Sequence, residues 1–326
     1  MSSNATDSRS PLLVWGALAI VYVVWGSTYL GIRISIETLP PMLQGTLRFV
    51  TAGLLLGGFL MIRKGRGAFR MSWRQAGGAA LVGVLLLTGG NGMVAVAEQH
   101  ISSGLAALLV AAVPLWLVVL RLAFRDRPAV LTLAGVLVGF CGVAALSLNG
   151  GGEAADTSGI VVILLASVSW SVGSFLAGRI PMPRDAWTAS TIEMLAGGLG
   201  LAVAGLSLGE RLDLTAVSGR SWLALAYLVL VGSLVGFTAY TWLLGNAPIS
   251  LVSTYAYVNP IVAVVLGVLV VDEHVTPQIL VGGLVILVGV ALVVSTERRG
   301  RSRTPAVTTE PAPVSSPTSP LSGERP

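Results

Sequence analysis

The chain has 326 residues, 54% of them hydrophobic and only 11% charged, with a formal net charge of +5. Soluble domains carry roughly 25% charged residues, so a water-soluble fold is excluded, and no polar stretch is long enough to form a separate soluble domain. The basic residues sit in short loops and the tail, which points to orientation in a membrane and not to nucleic acid. Cys141 is the only cysteine, which leaves no intrachain disulfide and argues against a cysteine-based metal site.

A bilayer core of roughly 30 Å needs about twenty apolar residues per helical crossing. Ten such stretches follow one another, at 12–32, 41–62, 75–97, 102–121, 130–148, 159–178, 186–207, 221–244, 250–271 and 277–295. The first is too long for a signal-peptide core and lacks a small-residue cleavage site, so it reads as a retained helix. Pro41 opens the second helix, and Thr276 is an N-cap before Pro277 at the first position of the tenth. The domain plan is a short cytoplasmic N-terminus (1–11), a first five-helix repeat (12–148), an external linker (149–158), a second repeat (159–295) and a cytoplasmic tail (296–326). The tail is rich in Pro, Ser, Thr and Arg and cannot bury enough apolar surface to fold.

With the N-terminus inside, sixteen basic residues fall on the cytoplasmic side, including Arg63, Lys64, Arg66, Arg70, Arg74 and Arg184. Three fall outside (Arg33, Arg211, Arg220), and Arg48 lies within the membrane. Both termini are therefore expected in the cytoplasm of a cell or inner membrane.

An odd number of helices per block places the second copy upside down, the plan of many secondary transporters. The segment from Pro114 to Leu120 aligns without gaps on Pro260 to Leu266, and Gly135, Gly142, Val143 and Ala144 match Gly282, Gly289, Val290 and Ala291. Trp25 and Trp170 occupy corresponding places, as do Arg48 and Glu193. Chance explains matched Val and Leu, but not matched prolines and glycines at a near-constant offset. Proline removes a backbone donor within a helix. Pro114 and Pro260 are thus kink candidates, either lining a pathway or bending helices for packing.

Three strings carry more specific information: Trp25-Gly26-Ser27-Thr28-Tyr29-Leu30, Ala97-Glu98-Gln99-His100-Ile101-Ser102-Ser103-Gly104, and Ser253-Thr254-Tyr255-Ala256-Tyr257-Val258-Asn259-Pro260. Together they resemble the EamA-type transporters of the drug/metabolite transporter superfamily, within it the YedA-like exporters, over nearly the whole membrane part. The resemblance implies an all-α fold of ten transmembrane helices in two inverted repeats. It also implies a central cavity lined mainly by the first, third, fourth, sixth, eighth and ninth helices, and export of amino acids, metabolites or drugs. Many relatives carry an acidic residue before the ninth-helix proline. Here it is Asn259, which argues against proton coupling at that position.

Tyr255 and Asn259, four apart, share one helix face. They suit a polar or zwitterionic solute, or else tie helices together. This face is expected to meet the first and sixth helices near the midplane. Trp25, Thr28, Asn91, Trp170 and Tyr240 are further solute-binding candidates. Arg48, Glu98 and Glu193 are the gating or coupling candidates, because charge at membrane depth costs roughly 2.5–3.5 kcal/mol. Arg48 and Glu193 differ in depth by about 10 Å on helical rise, too far for a direct pair. Arg48 instead reaches outward to Glu98 or Glu37, serving either structural charge satisfaction or gating. Glu98 is either a proton carrier or a hydrated boundary residue.

His100 and His274 read as solvated loop residues, so neither a metal nor a cofactor is expected. No Gly-x-Ser-x-Gly elbow, His-Glu-x-x-His pair or phosphate-binding Gly-x-x-x-x-Gly-Lys loop occurs. An exporter working by alternating access is the leading reading, and a channel-like facilitator or an intramembrane enzyme the rivals. Its partners are a small-molecule solute, the lipid bilayer and protons as candidate coupling ion, with no nucleic acid. Two fused halves suffice for a monomeric functional unit.

Overall fold

The computed structural model describes residues 11–125, 128–148, 156–247, 249–252 and 254–301, and the described residues contain helices and no strand. All ten expected spans are helical. They are α1 (Pro11–Ser35), α2 (Pro41–Lys64), α3 (Trp73–Ala97), α4 (Ser103–Ala123), α5 (Val130–Leu148), α6 (Thr157–Ala177) and α7 (Ala186–Ser207). Next, α8 opens at Gly219 and closes at Asn246, α9 covers Tyr255–Val271 after a single turn Ile249–Val252, and α10 covers Pro277–Arg301. Among the described residues nine of these helices are long and apolar enough to cross a membrane, and α9 is the shorter tenth.

The helix starts follow their local chemistry. Pro41 is the first residue of α2, and the Thr276 hydroxyl accepts from Ile279 N at 3.3 Å ahead of α10. The Ser72 and Gln75 side chains form a reciprocal capping box at α3. Boundaries differ from expectation at both ends of the second repeat. Asp156 caps α6, so the helix begins at Thr157, two residues early. Its carboxylate, lowered from its ordinary range by the Ser158 amide and hydroxyl, stays ionised to do so. At the other end α10 continues past Ser295 through Arg301, since residues 296–301 contain no proline to stop it. The remainder of the expected tail, the N-terminus up to residue 10 and linker residues 149–155 lie outside the described residues.

The two proline positions behave differently. In α4 the helix is interrupted at Ala111–Ala112, and Pro114 sits at the start of the second piece. Pro260 lies inside a continuous α9, while the break there comes earlier, at Thr254. Only Pro114 marks a break.

The packing itself reveals the inversion. Helix α5 packs against α10, its counterpart in the other repeat, and α2 against its counterpart α7. A Cβ on Gly142 would lie 2.9 Å from Gly282 O, and one on Gly135 would lie 3.0 Å from Gly289 O. Gly135 corresponds to Gly282 and Gly142 to Gly289, so each residue meets the counterpart of the other. That reciprocity is the mark of a two-fold axis. Because the contacts run in opposite chain directions, the axis lies in the membrane plane. Lipid tails are as apolar as leucine, so this association rests on close backbone approach, which glycine permits.

Candidate functional site

Helices α3 and α8 occupy corresponding places in the repeats, and both abandon the α-helical hydrogen-bond pattern midway. Val84–Gly92 in α3 and Leu228–Val235 in α8 are π-helical. A π segment widens the helix and frees side chains and carbonyls to face neighbours, and such segments occur frequently at functional sites. The freed groups are used. The Ser169 hydroxyl donates to Leu85 O at 2.8 Å, and the Thr88 hydroxyl donates to Gly197 O at 2.9 Å.

Each π-bearing helix also offers a glycine to the corresponding tryptophan. A Cβ at Gly90 would lie 2.6 Å from the Trp170 ring, and one at Gly236 would lie 2.6 Å from Trp25 Nε1. Only glycine lets an indole approach a helix backbone so closely. The two tryptophans aligned from sequence are thus set against equivalent helices by the same device.

Around Trp25 three rings gather from α1, α8 and α9. Trp25 lies 4.9 Å from Tyr240 and 5.2 Å from Tyr255, and Tyr240 lies 5.8 Å from Tyr255, centroid to centroid. Both pairs made by Tyr255 are edge-to-face, the arrangement favoured by the ring quadrupoles. The Tyr240 and Tyr255 hydroxyls make no hydrogen bond among the described residues, and all three residues are only half-buried. Nearby, the Tyr22 and Thr254 hydroxyls bond to each other.

Asn259 is buried below this cluster. With its NH2 turned towards α1, it donates to Tyr22 O at 3.3 Å and to Tyr255 O at 3.2 Å. Its amide therefore also ties α9 to α1. The ninth-helix face meets α1 as expected, but its third wall is α8, while α6 packs on α3 and α4. The Thr28 hydroxyl is engaged by its own helix, donating to Trp25 O at 2.6 Å, and its methyl faces Gly232 of α8.

Arg48, 6% exposed, bridges the two π-bearing helices. Its Nε donates to Ser233 Oγ at 3.1 Å in α8, its Nη1 donates to Asn91 Oδ1 at 3.4 Å in α3, and its guanidinium lies 4.7 Å from the Phe49 ring centroid. It makes no ion pair with Glu37, which faces Arg220 at 3.6 Å. Glu193 is half-buried and, as its depth implied, forms no ion pair with Arg48.

Glu98, one residue past α3, is fully buried, and neither carboxylate oxygen has a hydrogen-bond partner. The hydrated-boundary alternative does not hold. Burial pushes this carboxyl well above the usual range; the nearby Glu273 adds to that, while Arg33 and Arg48 oppose it. Arg33 donates to the Glu98 backbone carbonyl.

Homologous chains place this geometry in context. The model of the EamA-like transporter family matches residues 13–148 and again 157–295. The chain belongs to this family. Its relatives include the inner membrane transporter YedA of Escherichia coli (strain K12), 42% identical over 261 residues that cover 79% of this chain and 83% of YedA. A WAT1-related chloroplastic protein of Arabidopsis thaliana is 26% identical over 303 residues, covering 90% of this chain and 72% of the relative. A crystal structure superposes with a TM-score of 0.57 at 20% identity, covering 91% of this chain and all of that one, which supports the fold alone. The family model thus matches twice along the chain, and the similarity to YedA supports a multi-pass inner membrane protein.

Sequence reasoning missed the carboxylates that join the repeats at the face opposite the arginine-rich loops. Glu210 accepts from Met42 N and Leu43 N (3.1 and 2.9 Å) at the start of α2. Glu273 accepts from Ser103 N and Gly104 N (2.7 and 3.1 Å) at the start of α4. Each satisfies amides that a helix start leaves unpaired. Asp272, left-handed at φ 52°, turns the chain so that Glu273 can reach. Their partners lie about 170 residues away, and no local pattern announces them.

Proposed function

We propose that this EamA protein is a secondary transporter that exports a small organic solute by rocking its two repeats about the Trp25–Tyr240–Tyr255 cluster. The observation that carries the reading is the pair of tyrosine hydroxyls without a protein partner, set over three aromatic rings inside a membrane protein. Tyrosine hydroxyls withdrawn from water, even in part, normally find a partner, and among the described residues these two have none. A solute that is part apolar and part polar supplies one, with Asn259 in a supporting place. The π segments of α3 and α8, pinned by Arg48 through Asn91 and Ser233, give the rocking its flexible elements. Glu98, a buried carboxylate with no hydrogen-bond partner, is the first candidate for carrying a coupling proton, and Glu193 the second. Both termini lie in the cytoplasm on this reading, and one chain is the working unit.

An overexpressing strain screened for export of, and tolerance to, amino acids, metabolites and toxic compounds identifies the solute. Purified protein in loaded vesicles should then release it with no nucleotide added. Chemical conversion of the solute, or no release of any compound that scores in the screen, would overturn the proposal.

A further inference from the structure

On the arginine-rich face, the segment between α2 and α3 and the segment between α6 and α7 enclose an open depression of about 640 Å³. It is lined by Lys64, Arg70 and Gln75 from the first repeat and by Arg184, Asp185 and Thr188 from the second. Its one carboxylate is already engaged: Asp185 Oδ2 lies 2.8 Å from Lys64 Nζ and 3.0 Å from the Thr188 hydroxyl. Gln75 Nε2 donates to Met182 O at 3.2 Å. Arg70 and Arg184 remain, and neither guanidinium has a hydrogen bond or ion pair among the described residues.

Two unneutralised guanidinium groups in one depression form a donor set that suits a tetrahedral oxyanion, since each can present two parallel N–H donors. The surroundings strengthen the field: residues 63–74 hold five basic residues and no acid. The depression also sits where α2 leaves the membrane and α3 enters it. Ile62 and Trp73, 86% and 91% exposed, flank it with apolar surface at that boundary. Tryptophan favours the headgroup level, and basic pockets between transmembrane helices suit anionic lipid headgroups.

We propose that this depression binds a phosphate group, held between Arg70 and Arg184, from an anionic phospholipid headgroup or a soluble phosphate ester. Because the two arginines belong to different repeats, the bound phosphate ties the repeats together at this face. It thereby favours the arrangement in which these segments are close. The inference is independent of the transported solute and of the aromatic cluster.

The test uses full-length protein purified in micelles containing phosphatidylglycerol or phosphatidylcholine. Retained lipid is read by native mass spectrometry, and thermal unfolding is followed with and without glycerol 3-phosphate. Arg70→Gln/Arg184→Gln is compared with Arg66→Gln/Arg74→Gln, which removes the same charge from residues outside the depression. Wild type and the second variant should retain several-fold more phosphatidylglycerol than phosphatidylcholine, and the first variant should retain both alike. If the ligand is instead soluble, glycerol 3-phosphate raises the unfolding temperature of all but the first variant, without lipid preference. Identical behaviour of all three proteins overturns the site. So does equal loss in both variants, which makes the attraction a diffuse surface field. Equal unfolding temperatures without ligand confirm that the variants fold.

Discussion

Glu273→Ala removes the carboxylate that ties the α9–α10 turn to the start of α4. Two backbone donors, Ser103 N and Gly104 N, lose a charged acceptor at 2.7 and 3.1 Å. Hydrogen bonds to charged groups contribute about 1.5–3 kcal/mol each, so the gross loss is about 3–6 kcal/mol. Ser103 and Gly104 are buried, so water replaces the carboxylate poorly. Against this, partial rehydration of the freed amides returns part of the loss. A net destabilisation of about 3 kcal/mol remains. An unfolding entropy of about 2.1 cal/mol/K per residue gives about 1.5 °C per kcal/mol for a chain of this length, so the unfolding temperature should fall by about 4 °C. Glu273→Gln keeps one acceptor and should lose about half as much. The assay is thermal unfolding of purified protein in one detergent, with Glu37→Ala, at a more exposed ion pair, as the control that moves little. A Glu273→Ala protein that unfolds within a degree of wild type would refute the capping argument.

Glu98 gives a pH dependence of definite sign. Its folded carboxyl holds a proton well above the ordinary 4.5, so between those two values the folded state binds more protons than the unfolded one, and stability falls as pH rises. Glu98→Gln should flatten that slope and abolish pH-gradient-driven transport while leaving solute binding intact; an unchanged pH profile removes Glu98 as the proton carrier. Tyr255→Phe and Tyr240→Phe should each weaken solute binding by about 0.5–1.5 kcal/mol, up to roughly tenfold, at normal protein abundance, with Val258→Ala as the silent control. If both bind normally, the solute lies elsewhere. For topology, a reporter active only in the cytoplasm should work at the C-terminus and fail after Asp156; the reverse pattern inverts the orientation.

Much of the fold was legible in the sequence because lipid imposes a simple rule: every crossing needs about twenty apolar residues. The inverted repeat was legible at Gly135, Gly142, Gly282 and Gly289, whose matched spacing turned out to be the α5–α10 contact itself. Trp25, Tyr240 and Tyr255 could be named singly, but their meeting depends on the crossing of α1, α8 and α9, which no local pattern encodes. The π segments were invisible, since Leu, Val and Gly runs fit α and π geometry alike. For Arg48 the depth was readable and the partner was not. Neutral Ser233 and Asn91 take the place of a carboxylate, because the widened helices bring them within reach. The matched prolines likewise do not announce that Pro114 stands at a break in α4 while Pro260 lies within a continuous α9. Surrounding packing decides whether the backbone breaks at the proline or absorbs it.

Solute exchange across reconstituted vesicles tests the central claim most directly. Alternating access predicts that unlabelled solute on the far side accelerates release of labelled solute, and that Tyr255→Phe weakens this stimulation by raising the half-saturating concentration. Release that is indifferent to solute on the far side, in wild type and variant alike, is the behaviour of an open pore and would contradict the account.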